Sequence, residues 1–458
     1  MDVEILARIQ FAFTVAFHYL YPPLSIGLGW IMVVAEGLYL KTKNPEYGRI
    51  SLFFVRLFAI IFGLGVATGI VMEFEFGTNW ATYSRYVGDI FGSALAAEGI
   101  FAFALESGFL GILLFGWNRV SPRLHFLSTL MVALGSTFSA IWIVVANSWM
   151  HTPAGFKIVT EMGRTRAEIT DFWAMVLNPS SVDRLTHVLL GAMLAGAFLV
   201  VSVSAWYRLK GMYVSETRKM MRIGMTFAFV AILLQWLSGH RSAELVAQYQ
   251  PAKLAAMEGH FETGKADLYA FGWVDTETES VTGIGLPGGL SFLLHGNFDA
   301  AVQGLNAFAK EDQPHAVNGI FQFYHWMVGS AGLMTLIAFI GIWATWTNRL
   351  ETNHWWNKVL VFSVFLPQIA NQSGWFAAEM GRQPWVVYGL LRTKDALSPT
   401  VKGGEVLFSL ILFTLVYLLL FVLFIYLLNK KIKKGPQDAG HLLDHRPRQS
   451  DWANTPKK

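Results

Sequence analysis

Near the end of the chain, NQSGWFAAEMGRQPW (371–385) follows an apolar run and sets the carboxylate of Glu379 beside Arg382, Trp375 and Trp385. A carboxylate at the edge of an apolar stretch is costly unless a cation, a metal or a proton path requires it there. A second acidic set, Glu98 and Glu106 in LAAEGIFAFALESGF, is spaced by eight residues. On a helix that is roughly 12 Å along the axis, within one half of the surface. Two carboxyls stepping inward with Ser107 beside the second suit a proton relay; two neutral acids holding helices together are the other reading. Glu73, in VMEFEFGTNW, sits near the outer end of a run, and Glu75 is expected to point elsewhere and reach headgroups. Twelve histidines are present. His18, His187 and His325 lie inside apolar runs and His125 opens another. Any one of them reads equally as a packing residue with a hydrogen bond. Met327 is one of 16 methionines, a residue type that mostly fills gaps. Lys253 and Glu258, in QPAKLAAMEGHF, are five apart, not the three or four of a helical ion pair. Together they could bind the hydroxyls of a quinol; a solvated loop helix is the plainer reading.

The elements that carry these groups follow from composition. Of 458 residues 54% are hydrophobic and only 14% charged, with mean hydropathy +0.43. A soluble domain carries about a quarter charged residues. Apolar blocks near the length of about 20 residues that crosses a bilayer define an all-α, polytopic transmembrane helical bundle. About nine spans are expected, near 7–40, 50–77, 90–118, 123–150, 183–210, 217–239, 318–348, 356–378 and 404–429. Residues 1–239 then hold spans one to six, 240–317 an extracytoplasmic loop, 318–430 spans seven to nine, and 431–458 a polar cytoplasmic tail. Within the loop, helix is expected after Pro251 and a turn at GIGLPGGLSF. Lys41, Lys43, Arg49, Arg119, Arg123, Arg208, Lys210, Arg218, Lys219, Arg222, Arg349, Lys358 and Lys430–Lys434 follow odd-numbered spans, whereas the short loop after the second holds only Arg85. The bias of basic residues toward the cytoplasm puts the N-terminus outside and the C-terminus inside. The same bias accounts for a pI near 9.0 without nucleic acid.

With that topology His18, His187, Met327 and Glu379 share one depth, in the outer part of the bilayer. Imidazole, thioether and carboxylate all ligate iron, and a His/Met pair suits a low-spin haem b of raised potential. The absence of cysteine excludes thiolate-held iron–sulfur clusters, c-type haem attachment and disulfides. A cytochrome b with two bis-histidine haems, or a haem–copper oxidase, needs more intramembrane histidines than these. A proton-coupled transporter using buried Glu and His predicts broken helices near the midplane and internal symmetry, and neither is evident in the sequence.

Several segments together are similar to one family: QFAFTVAFHYLYPPLSIGLG, VMEFEFGTNW, GDIFG with LAAEGIFAFALES, WIVVANSWM, QPAKLAAMEGH and GWFAAEMGRQPW. They resemble subunit I of the cytochrome bd-type quinol oxidases, short quinol-loop kind, over the chain to about residue 430. The resemblance implies an enzyme of a bacterial cytoplasmic (inner) membrane that oxidises quinol at the outer loop and reduces dioxygen to water. It implies three haems: low-spin haem b, high-spin haem b, and haem d or a third haem b at the oxygen site. His18 matches the first-span ligand, His187 and Met327 the low-spin pair, and Glu379 the second high-spin ligand, with Trp375 and Arg382 beside it. Glu98 and Glu106 match the proton-delivery pair, Lys253 and Glu258 the quinol-loop residues. A large membrane subunit II and a small single-span subunit are implied as partners in the bilayer. His325 stands where the family often has arginine, so a propionate or semiquinone contact is either lost or taken over by His325, and the loop opens SGHRSAE where many members begin Gly-Asp.

Overall fold

A computed structural model describes residues 2–436; the tail from 437 onward lies outside the described residues. The helices are α1 (Val3–His18), α2 (Pro22–Thr42), α3 (Pro45–Thr78), α4 (Ala81–Tyr86), α5 (Gly88–Glu98), α6 (Ala104–Phe115), α7 (Pro122–His151), α8 (Phe172–Val176), α9 (Ser181–Lys210), α10 (Val214–Tyr249), α11 (Pro251–Glu258), α12 (Gly289–His295), α13 (Val317–Trp346), α14 (His354–Phe362), α15 (Phe365–Met380) and α16 (Gly403–Lys434). A π-helical turn, Gly99–Phe103, joins α5 to α6. Among the described residues, eight stretches are long and apolar enough to cross a membrane. The ninth expected span, 356–378, is the pair α14–α15, broken near Ser363 so that neither half is long enough to cross alone.

Proline sets the breaks. Pro22 has no N–H for the carbonyl four residues back, so the His18 carbonyl accepts from Tyr21 N at 3.1 Å and the first span splits just after His18. Pro367 does the same to Ser363, where α14 gives way to α15. The first span is therefore two helices where one continuous run, 7–40, was expected. Broken helices are present after all, so their supposed absence does not count against a transporter. Other starts are capped in the ordinary way: Asn44 Oδ1 accepts from Glu46 N at 3.0 Å before Pro45, and Ser121 Oγ from Leu124 N at 3.3 Å before Pro122.

The loops sort onto two faces. On the basic face Arg49 meets Glu216 at 2.7 Å, Arg218 meets Glu351 at 2.9 Å, and Tyr207 donates to Ile432 O at 2.6 Å. On the other, Tyr83 N donates to Ala396 O at 3.0 Å, Tyr388 N to Met150 O at 2.9 Å, and Arg392 pairs with Asp312 at 2.6 Å. One large apolar core, including Tyr21, Phe54, Phe58, Phe198 and Met220, fills the bundle. A second, including Trp149, Tyr83, Ile90 and Val387, lies under the outer loops.

The outer loops carry four antiparallel two-stranded sheets: β1 (Phe156–Glu161) with β2 (Arg164–Ile169), β3 (Gly264–Lys265) with β6 (Ala301–Val302), β4 (Leu268–Asp275) with β5 (Ser280–Leu286), and β7 (Trp385–Val387) with β8 (Leu391–Arg392). The long loop begins later than expected, because α10 continues ten residues past 239 to Tyr249 and stops where Pro251 forces Gln250 out of helix. GIGLPGGLSF is not simply a turn: it holds the end of β5 and the start of α12. β4 lies along one face of α13: Val274 N donates to Asn318 Oδ1 at 3.1 Å, Gln322 Nε2 to Gly272 O at 2.7 Å, and His325 Nε2 faces Tyr269 O at 2.9 Å.

Candidate functional site

The short polar helix α15 is the meeting point of the expected ligands. Its Gln372 Nε2 donates to Ala16 O at 2.8 Å, next to His18 in α1, and Trp375 packs edge-on against Tyr19 at 5.5 Å. Asn371 Nδ2 donates to Gly191 O at 3.3 Å, one turn along α9 from His187. Gly374 lies against Met327 of α13, where an added β-carbon would stand 2.8 Å from the sulfur. Four helices thus bring the segments that carry His18, His187, Met327 and Glu379 together along about two turns of α15.

Glu379 is held on both oxygens. Oε1 accepts from Asn147 Nδ2 at 3.1 Å and faces His151 Nε2 at 3.1 Å, and Oε2 pairs with Arg382. His151 and Arg382 are 1% and 6% exposed, whereas the Glu379 side chain is 33% exposed. A carboxylate so oriented keeps one side open for a further bond. Arg184 reaches the same cluster, donating to Asn147 Oδ1 at 2.6 Å and lying 5.9 Å over the Trp375 ring. Asn147, His151, Arg184 and Gln250 were not singled out by their sequence. His151 and Arg184 sit at span boundaries, where a charged or polar residue reads as an anchor; their signal is position, His151 directly after WIVVANSWM and Arg184 three residues before His187.

The histidines differ in what they offer. Thr68 Oγ1 donates to Leu64 O at 2.8 Å, so toward His18 Nδ1, at 3.0 Å, it accepts; the ring then carries its proton on Nδ1 and a lone pair on Nε2, as a metal-binding imidazole does. His187 has Ser238 Oγ 3.3 Å from Nδ1 and Gln235 Nε2 3.0 Å from Nε2, so Gln235 must swing aside for iron to bind at Nε2. His325 Nδ1 faces Phe321 O, one turn back on α13, at 2.7 Å, and its Nε2 faces Tyr269 O of β4 at 2.9 Å; a neutral ring has a single N–H, so it donates to one of the two carbonyls at a time.

The acidic pair lines up on α7. Ser136 Oγ donates to Glu106 Oε1 at 2.8 Å, and Ser139 Oγ bonds Glu98 Oε1. Eight residues of regular helix would rotate the two by about 80°. The intervening π turn absorbs one residue and brings both back to one face. Glu75 corrects another expectation: it is 2% exposed and accepts from Thr14 Oγ1 at 2.7 Å instead of reaching headgroups, while Glu73 is the exposed one.

Lys253 and Glu258 are buried, 2% and 1% exposed, not the solvated face of a loop helix. They point to different places. Lys253 Nζ is 3.4 Å from His151 Nδ1 and 3.2 Å from Gln250 Oε1, and His151 Nδ1 lies 3.1 Å from Gln250 Oε1. Burial, with Arg184 and Arg382 nearby, holds the Lys253 amine well below its usual range. Glu258 has both oxygens buried with no partner in hydrogen-bond geometry, though the Tyr324 hydroxyl stands beside it. Burial raises its carboxyl to about 8.

The donor set fits a haem centre. Besides the imidazoles, thioether and carboxylate, Arg184 Nε and Arg382 Nε and Nη1 are buried without a protein partner, N–H groups of the kind that bind propionates. Among the described residues no cluster of three or more His, Asp or Glu forms a metal site, so ligation by single residues on separate helices is the chemistry available.

Fold and site together define a polytopic helical membrane protein with a ligand-rich centre under an extramembrane cap. The family profile described as cytochrome bd terminal oxidase subunit I matches residues 6–436, and the chain belongs to that family. It is 39% identical over 452 residues to cytochrome bd ubiquinol oxidase subunit 1 of Bacillus subtilis (strain 168), covering 96% of each chain. To cytochrome bd-II ubiquinol oxidase subunit 1 of Escherichia coli (strain K12) it is 34% identical, over 95% of this chain and 97% of the other. Among solved structures, bd oxidase from Geobacillus thermodenitrificans superposes with a TM-score of 0.87 at 29% identity, over 94% of this chain and 99% of that one. The chain is accordingly a subunit of a haem-containing quinol oxidase, embedded in a membrane by many passes.

Proposed function

We propose that this subunit oxidises a membrane quinol at the outer face, ubiquinol or menaquinol, and reduces dioxygen to water through three haems. The observation that carries the reading is the convergence of His18, His187, Met327 and Glu379 on α15. His187 and Met327 would hold a low-spin haem b. His18 and Glu379 would hold two high-spin haems, one of them haem b and the other haem d or a third haem b. When bound, these haems carry the electrons and the oxygen chemistry.

The chain's own residues do the rest. Asn147, His151 and Arg382 orient the Glu379 carboxylate, and Trp375 walls the site between Tyr19 and Arg184. Arg184 and Arg382 offer their spare N–H groups to anions. Glu106 and Glu98, each on a serine of α7, pass protons from the cytoplasmic side toward the centre. Quinol protons leave at the outer face, so charge separates across the membrane without a pump. Subunit II and a small single-span subunit complete the complex in a bacterial cytoplasmic membrane.

The test is a reduced-minus-oxidised absorption spectrum of the purified complex, followed by carbon monoxide, repeated with Met327→Leu and Glu379→Gln. The wild type is expected to show b-type bands, with a far-red band if one ring is a chlorin. Met327→Leu should turn the low-spin component high-spin, and Glu379→Gln should lose or shift a high-spin component only. A well-folded, haem-free protein would overturn the reading and restore a proton-coupled transporter built on the same buried Glu and His residues.

A further inference from the structure

The helix α13 carries its own measure of membrane depth. Trp326, toward its outer end, is 56% exposed. Trp343 and Trp346, toward its inner end, stand 5.5 and 5.6 Å from the guanidinium groups of Arg349 and Arg222 on the basic face. Trp326 and Trp346 are about 20 residues apart, roughly 30 Å of helix, which is the thickness of a hydrocarbon core. Tryptophan gathers at the two membrane–water boundaries, so Trp326 marks the outer one. The turns from Val317 to His325 then stand above that boundary, and β4 runs beside them, with Tyr269 level with His325 and Val274 level with Asn318. The β4–β5 hairpin therefore begins at the outer edge of the lipid and rises about 10 Å from it.

The two faces of the hairpin differ. One, with Val274 and Val281, packs on Phe321 and on Gly259 at the end of α11, where an added β-carbon would stand 2.6 Å from the Val281 side chain. The other carries Leu268 opposite Leu286, Phe271 opposite Ile284, and Trp273 opposite Thr282. None of these six is charged, and Phe271, Trp273, Ile284 and Leu286 are between 55% and 64% exposed. Polarity then changes along the hairpin: the tip holds Asp275, Glu277 and Glu279. A contiguous exposed apolar face marks an interaction surface. Here it begins where the hydrocarbon ends and gives way to carboxylates further out, which is the gradient of a headgroup layer about 5–7 Å thick. The face is also continuous with the lipid-facing side of α13, through Trp326.

We propose that this outer face of the β4–β5 hairpin is a lipid-binding surface. Leu268, Phe271, Ile284 and Leu286 lie among the headgroups and upper acyl chains of the outer leaflet, Trp273 sits at their aqueous edge, and the acidic tip stands in water. The cap is thereby fastened to the bilayer along its own flank, in the manner of an interfacial anchor, and not through the spans alone. The proposal needs only the transmembrane topology and is independent of the haem assignments.

The experiment places single thiols by Ile284→Cys and Thr278→Cys, labels each with a bimane fluorophore, and reads quenching in the purified complex in nanodiscs. Lipids brominated near the headgroup end of the acyl chain are expected to quench the label at position 284, and aqueous iodide to leave it unquenched. At position 278, in the turn, the pattern should be the reverse. A phospholipid with a diazirine beside its headgroup, photolysed with the unaltered protein, should leave adducts within 268–273 and 282–286. Iodide quenching at 284 equal to that at 278 would put water on this face and overturn the proposal. Quenching at 284 by neither reagent would put protein there, a second copy or another subunit, and overturn it equally. The photolabel needs no substitution, so both strands free of adducts would count against the proposal even if Ile284→Cys failed to fold.

Discussion

At the scale of single residues, burial reassigns several groups whose chemistry was expected to act in water, Glu258 foremost among them. With its carboxyl raised to about 8 by burial, it is protonated near pH 7 and ionises only as pH climbs through that value. A neutral carboxyl donates a hydrogen bond; the ionised form accepts a proton. Quinol turnover of the wild type should therefore bend near pH 8, and Glu258→Gln should abolish that bend while leaving the haem spectrum intact. A bend that survives the substitution would place the ionisation on another group. The folded state favours the protonated form, so any stability this group adds is present below about 4.3, the carboxyl's value in the unfolded chain, and declines until pH passes about 8. His325, where the family often has arginine, faces two backbone carbonyls, Phe321 O on its own helix and Tyr269 O on β4.

Among the elements, close helix packing is set by small residues. Gly27 of α2 and Gly196 of α9 cross almost backbone to backbone: a β-carbon on Gly196 would stand 2.6 Å from Leu28 N and 2.7 Å from Gly27 Cα. Backbone cannot yield as a side-chain end can, and overpacking costs about 1–3 kcal/mol or more. Gly196→Leu should lower the thermal midpoint of the solubilised protein by several degrees, whereas Gly163→Ala, in an open turn of the β1–β2 hairpin, tests only a positive φ. An unchanged midpoint for Gly196→Leu would mean the two helices cross more loosely than these distances require. The spans were legible because long apolar runs have few alternatives, and the ligand residues because polar groups stand out inside them. What stayed hidden is local backbone chemistry. Pro22–Pro23 sits in a run so apolar that continuity across it was the natural reading. The π turn has no composition of its own, since GIFAF is as apolar as its flanks. The α10 extension past 239 is polar enough to resemble loop, and β1–β2 is too short and charged to show its alternation against the background of spans.

For the molecule as a whole, the two faces have testable identities. The chain has no cysteine, so single introduced thiols report without background. A cysteine at Thr278, in the exposed β4–β5 turn, should react with a membrane-impermeant maleimide in intact spheroplasts, and one at Lys43, at the end of α2, only after lysis. The reverse pattern would invert the topology drawn from the basic residues. The polar helix α15 has one more consequence, for how the chain is made. A segment reading NQSGWFAAEM is a poor candidate for entering a bilayer by itself, yet the groups that receive it (Ala16, Tyr19, Asn147, His151, Arg184, Gly191 and Met327) all precede it in the chain. By the time the ribosome releases α15, its berth is already translated. The order of synthesis thus lets the most polar of the crossing segments arrive late, into a protein-lined slot instead of lipid.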